Sequence, residues 1–214
     1  MRRSTFKPII LITLIVSIAV TGFLFIYRII PSQSLAVSLS DFHTSEETEE
    51  YAVYSALLDE LFVKDDVKLL VIQKQTIYSA NNYFIRSTVE EPIPDMKKLF
   101  PSVSENTFLD YRSKNQQSST LSPKFVLPVK YVVTDEFEFK EDEDAAWSDS
   151  FYKKYPDARG IIRLSKVGFN KDGTEAFVFA EFICFSLCGG GNNILLKKNF
   201  GVWKVKEQFE GWKS

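Results

Sequence analysis

Histidine is almost missing from this chain, and the shortage narrows its chemistry more than any motif does. The one histidine, His43, lies in a Ser-rich stretch with no partner residues nearby, where a solvated imidazole is the plain reading. Without a second histidine most Ser-His and Cys-His nucleophilic schemes fail, as does every histidine-rich metal site. Cysteine is nearly as scarce. Cys184 and Cys188 are the only two, too few soft ligands for zinc, and their C-x-x-x-C spacing is one residue longer than the usual dithiol redox motif.

Other signatures are absent too. Gly189 to Gly191 lacks the Gly-Lys-Ser/Thr of a phosphate-binding loop and reads as a flexible hairpin loop. Ser150-Phe151-Tyr152-Lys153 has S-x-x-K spacing, but its companion motifs are missing. Asp135 to Asp144 holds seven acids without the spacing of a calcium loop, so it reads as a solvated charged face. No catalytic residue, metal ligand or cofactor-binding residue is assigned. A basic excess is also lacking. Four of the 26 basic residues fall in the first thirty positions and all 28 acids lie beyond, leaving a net charge of −6 there. Nucleic acid is excluded as a partner on that ground. The lysines at 197, 198, 204 and 206 read instead as protection of exposed or edge strands against pairing with other chains.

The chain does carry a long apolar run. Ile9 to Tyr27 is nineteen residues without a charge, preceded by Arg2, Arg3 and Lys7 and followed by Arg28 and Pro31. As a helix it would span about 28 Å, close to a hydrocarbon core of about 30 Å. The basic residues before it put the N-terminus in the cytoplasm and the remainder outside. This predicts a cytoplasmic tip at 1–8, a transmembrane anchor at 9–30, a stalk at 31–45 and an extracytoplasmic domain at 46–214. A cleaved signal peptide is the alternative, since Ser34-Leu35-Ala36 offers small residues to a peptidase, but an h-region is usually shorter.

Within the domain, Thr44 and Glu47 form a capping box, with Glu46, Glu49 and Glu50 crowding the first turns. Tyr51, Tyr54, Leu58, Leu61 and Phe62 follow at helical spacing, predicting an amphipathic helix over about 45–62. Val67 to Gln73 and Val129 to Thr134 read as strands, and Ser104 caps a helix to about Lys114. The stretch 76–91 fits neither period. Trp147, Phe151 and Tyr155 line one face of a further helix that ends at Pro156.

From Gly160 to Trp212, four apolar segments alternate with three turn signals, predicting an antiparallel meander. Strand 175–184 is apolar at both odd and even positions, which suits a strand covered on both faces. Glu181 is its one internal charge. If Lys171-Asp172-Gly173 forms a three-residue loop, Asn170 pairs with Thr174, Val167 with Phe177, Ser165 with Phe179 and Arg163 with Glu181. That pairing makes Arg163 and Glu181 a structural ion pair; a loop one residue shorter or longer would move Arg163 to the other face and leave Glu181 a desolvated candidate acid. In an oxidising compartment Cys184 and Cys188 form a disulfide, provided the chain turns between them, because four strand residues cover about 13 Å against a limit of about 7 Å.

Val167-Gly168-Phe169-Asn170, Leu187-Cys188-Gly189, Leu195-Leu196-x-Lys198 and Val202-Trp203-Lys204-Val205 occur in this order. In that order the pieces resemble a loose group of uncharacterised bacterial proteins, secreted or singly anchored, that end in this pattern. The chain departs from the group in Phe185-Ser186, where glycines are usual, and in an extra Phe200 in the last turn. The resemblance implies an extracytoplasmic domain and brings no activity with it.

The expected fold is therefore α+β: a mainly antiparallel sheet of five or six strands, four of them C-terminal, covered by the Tyr51 and Trp147 helices. The expected function is a tethered, non-enzymatic module, partnered by the membrane through its N-terminal helix and by an unidentified envelope protein or polymer. The rivals are a carboxylate-dependent hydrolase of an envelope polymer, which needs two converging acids beside exposed aromatics, and a thiol redox protein, which needs an exposed reactive cysteine.

Overall fold

The computed structural model describes residues 39–137, 144–184 and 188–214, with the side chains of 39–44 and 144–147 also outside the description. The apolar run, the first part of the stalk, most of the acidic run, Phe185-Ser186 and the side chains of His43, Thr44 and Trp147 therefore lie outside it. Among the described residues no helix is long and apolar enough to cross a membrane. The chain divides into two compact units, Met1–His43 and Thr44–Ser214. Of the first, only the helical stretch 39–43 is described.

Helix α1 spans Leu39–Phe62. It starts earlier than the capping box predicts, inside the stretch read as stalk, so the glutamates at 46–50 are not in its first turn. Their role is tertiary: Glu46, Glu47, Glu49 and Glu50 pair with Lys114, Lys124, Lys198 and Lys166 respectively. The predicted stripe is buried at Tyr51, Tyr54 and Leu58, joined by Val53 and Leu57. Each such side chain contributes about 1.5–3 kcal/mol on burial.

Seven strands form one sheet: β1 (Leu69–Gln73), β2 (Lys130–Thr134), β3 (Ala158–Leu164), β4 (Gly168–Phe169), β5 (Glu175–Ile183), β6 (Gly190–Asn199) and β7 (Val202–Lys213). The order is β2-β1-β3-β5-β6-β7, with β4 beside β5. All pairings from β3 onward are antiparallel, whereas β1 lies parallel to both β2 and β3. The C-terminal meander is thus joined to a small parallel edge.

Four further helices are described: α2 (Tyr83–Glu90), α3 (Ile93–Leu99), α4 (Glu105–Lys114) and α5 (Asp144–Lys154). Ser104 caps α4 as its position predicts, and Asn82 caps α2 within the stretch that periodicity leaves undecided. On the even face of β5, Ala176, Val178 and Ala180 pack with Ile194, Leu196 and the apolar stripe of α1. On the odd face, Phe177 and Phe179 pack with Ile85, Met96, Phe108 and Tyr111, and Ile183 packs separately with Val71, Phe151 and Tyr155. Glu181 falls in the seam between those two odd-face clusters.

The hairpin into β5 differs from the expected loop in an instructive way. The backbone of Asn170 bonds to Glu175 (3.1 Å), giving four loop residues and pairing Gly168 with Phe177. Yet Leu164 pairs with Ala180 and Arg163 with Glu181. Between these points Ser165, Lys166 and Val167 stand against Val178 and Phe179, a bulge whose extra residue cancels the slip of the turn. Side chains satisfy the freed amides: Lys166 N–H donates to Asn115 Oδ1 (2.9 Å) and Val167 N–H to Glu50 Oε1 (3.1 Å).

Candidate functional site

A polar row crosses the odd face of the sheet through the seam. The register sets Thr134 beside Gln73, Arg163 beside Glu181, Glu181 beside Gly191 and Gly191 beside Trp212. Continued by one residue, the β1–β3 pairing brings Gln73 next to Arg163. Glu181 is 2% exposed, and an unpaired charge at that depth would be costly. Arg163 Nη1 meets its Oε1 at 2.9 Å. Asn82 Nδ2 donates to Oε2 at 3.2 Å, and Trp212 Nε1 donates to the same oxygen at 3.2 Å.

Each partner is placed by a separate local cause. Asn82 Oδ1 accepts the Ile85 N–H (3.0 Å) as the cap of α2, which turns its amide nitrogen toward Glu181. Trp212 reaches Glu181 by lying across β6 at Gly191. A Cβ there would stand 2.4 Å from Trp212 Nε1 and 2.6 Å from the Phe179 ring. The triple glycine is therefore not a flexible hairpin loop: Gly190 and Gly191 belong to β6, and Gly191 makes room for an indole.

Burial pushes the Glu181 carboxyl above its usual pKa, and the Arg163 charge with the Trp212 and Asn82 hydrogen bonds offsets this only in part. Its partners in hydrogen bonds and ion pairing are one cation and two neutral donors, with no second carboxylate among them. Two other buried glutamates are likewise engaged. Glu50 pairs with Lys166 and accepts the Val167 N–H, and Glu175 pairs with Lys197 while accepting from Thr107 Oγ1 (2.6 Å) and Ser104 N–H (2.7 Å).

The remaining candidates are dispersed. Cys184 and Cys188 are joined in a disulfide with a Cα separation of 5.6 Å at the end of β5. Ser150 and Lys153 are both exposed on α5. Asp135 pairs with Lys74 and Glu136 with Lys154. Among the described residues no three His, Cys, Asp or Glu side chains come together as a metal site. An apolar pocket of about 170 Å³ opens at the C-terminal end of α1, lined by Leu61, Phe62, Leu69, Ile162 and Phe182, with Lys64 and Arg159 also contributing.

Asn82, Gly191 and Trp212 are the members of the seam that sequence reasoning missed. Asn82 had a usable signal, an Asx residue before Tyr83-Phe84-Ile85; the other two depend on a strand crossing that no local pattern records. No family model, curated protein or solved structure matches the chain.

Proposed function

We propose that the chain is a membrane-tethered, extracytoplasmic module, held by Ile9–Tyr27 with its N-terminus in the cytoplasm, that binds an envelope protein or polymer without altering it chemically. The observation carrying this reading is the commitment of the buried acids. Glu50, Glu175 and Glu181 each have their own cation, and each also holds backbone or side-chain donors that fix neighbouring elements. Their chemistry is spent on the fold. The pocket at the end of α1, at about 170 Å³, falls below the roughly 300–1,000 Å³ of small-molecule sites, so this reading does not place the ligand there.

The test is cross-linking of the tagged full chain in intact cells, followed by identification of what it captures. A specific envelope component is expected, and its capture should survive Glu181→Gln. Protease added outside should remove the domain while an N-terminal tag stays protected; a mature N-terminus near Val37 would replace the anchor with a cleaved signal. One observation favours the hydrolase reading, namely the raised pKa of Glu181 beside Trp212. Release of soluble fragments from an envelope polymer, lost in Glu181→Gln but kept in Glu175→Gln, would establish that reading instead.

A further inference from the structure

The turn between β6 and β7 does something unusual with an aromatic side chain. Asn199 pairs with Val202, leaving Phe200-Gly201 as a two-residue loop with φ of 50° and 81°. Turns with both central residues at positive φ favour Asn-Gly, because a Cβ in the left-handed region crowds the following carbonyl oxygen, a cost that Gly avoids and that the short polar side chain of Asn offsets by bonding locally. Phe200 takes that conformation and is fully exposed, and the neighbouring Val202 is mostly exposed. A strained backbone and a solvated ring bring the isolated domain no return. A lone exposed apolar residue would need no explanation, but this one is raised on a hairpin tip in a costly conformation.

Its surroundings indicate what could meet it. Residues 197–206 hold four lysines and no acid, in a domain whose charge is otherwise negative. Glu175 engages Lys197 and Glu49 engages Lys198, whereas Lys204 and Lys206 point outward on β7. In the adjoining turn Lys171 is offset by Asp172, both exposed. The chain also enters the domain at this end. The second unit begins at Thr44, and Glu49 bonds both Lys198 and Trp203 at the base of the hairpin (2.7 and 3.0 Å). Residues 28–48 are all that separate this end from the apolar run.

We propose that the β6–β7 tip is a lipid-contacting element, in which Phe200 enters the headgroup region of the membrane that tethers the chain while Lys204 and Lys206 meet anionic headgroups. An apolar ring flanked by lysines is the composition of surface-seated membrane contacts. This rests on the tethered reading above. It gives the domain a second foothold, which would fix its orientation over the bilayer.

The test uses the full chain in phosphatidylcholine vesicles, with or without phosphatidylglycerol, carrying a nitroxide on one introduced cysteine. Asn199→Cys reports beside the tip, Val126→Cys at an exposed site elsewhere on the domain, and Ser17→Cys inside the apolar run. Relaxation by oxygen and by a water-soluble nickel chelate reads the depth of each probe. The probe at 199 should be several-fold better protected from nickel than the one at 126, more so with phosphatidylglycerol. Adding Phe200→Ser to the chain labelled at 199 should abolish that difference, and the unchanged reading at 126 serves as the folding control. If 199 is as nickel-accessible as 126 while 17 is oxygen-accessible and nickel-protected, the tether stands and the tip proposal is overturned. Nickel access at 17 overturns the tether, and the tip proposal with it. Protection at 199 that appears only in native membranes and not in pure lipid assigns the tip to a protein partner and overturns the lipid assignment.

Discussion

Two glutamates on one face of β5, Glu175 and Glu181, are both almost inaccessible to solvent (3% and 2% exposed), yet their carboxyls shift in opposite directions. Each meets the start of a helix, Glu175 at α4 and Glu181 at α2. Burial raises both, more strongly at Glu181, and what opposes it differs as well. At Glu175 the Lys197 ammonium, Thr107 hydroxyl and Ser104 N–H outweigh burial and hold the carboxyl below its usual range. Thr107 and Ser104 approach within 2.6 and 2.7 Å. At Glu181 the Asn82 and Trp212 donors stand at 3.2 Å, and even with Arg163 they leave burial dominant. Low exposure of the residue alone therefore does not set the direction of the shift; the depth of the carboxyl and its donors do. Two short hydrogen bonds and an ammonium hold the first glutamate ionised, and longer ones leave the second closer to its neutral form.

Removing Arg163 should break the comparison most strongly. Arg163→Met strands a buried carboxylate and is expected to cost about 3–5 kcal/mol at neutral pH. The sign of its pH dependence follows from the raised pKa. The contribution of Glu181 is fully present below the ordinary glutamate pKa and is lost as pH rises through the raised folded value. Loss of Arg163 raises that value further, so the deficit relative to wild type should shrink in mildly acidic urea titrations. An equal deficit at both pH values would refute the assignment.

Glu175→Gln should act in the opposite sense, costing about 1.5–3 kcal/mol at neutral pH through its charge-assisted hydrogen bonds. The stability Glu175 supplies is present above the ordinary glutamate pKa and is lost as pH falls through the lowered folded value. The acid side of the stability–pH curve should therefore be flatter in the variant than in wild type, as thermal unfolding across pH would register.

Reduction of Cys184–Cys188 sharpens the contrast between the two ends of β5, because the bridge fastens only the end beyond Glu181. So short a loop predicts about 2 kcal/mol, with faster amide exchange near Ile183 and little change near Glu175. Complete alkylation of both thiols in unreduced native protein would show that the bridge does not form in solution. The smallest effect is expected at the opposite end of the sheet. Phe200→Asn should stabilise the domain by about 1 kcal/mol in urea titrations, since Asn accepts the left-handed conformation at less cost and the exposed ring forfeits no packing.

The arrangement of Arg163 opposite Glu181 marks how far the sequence could be read. It follows from counting outward from a three-residue turn, but the turn has four loop residues, and the two strands match again only because a bulge at Ser165–Val167 restores the register. Turn residues are visible locally. The bulge is not, because the groups that stabilise it, Asn115 and Glu50, come from distant helices.

The sequence by itself determined the features that depend on neighbours along the chain: the apolar stripe of α1, the two-sided apolar strand β5, the order of the meander and the cap of α4. These follow from the helical and strand periods and from turn chemistry, which act over a few residues. Only the tertiary structure decided that β1 lies parallel between β2 and β3 and that the glutamates of α1 bind lysines from four other parts of the domain. It also decided that Asn82 and Trp212 converge on Glu181. Those outcomes need groups up to 149 positions apart (Glu49 and Lys198) brought within hydrogen-bonding distance, and such pairings are selected by burial, where a carboxylate must find donors or lose its charge.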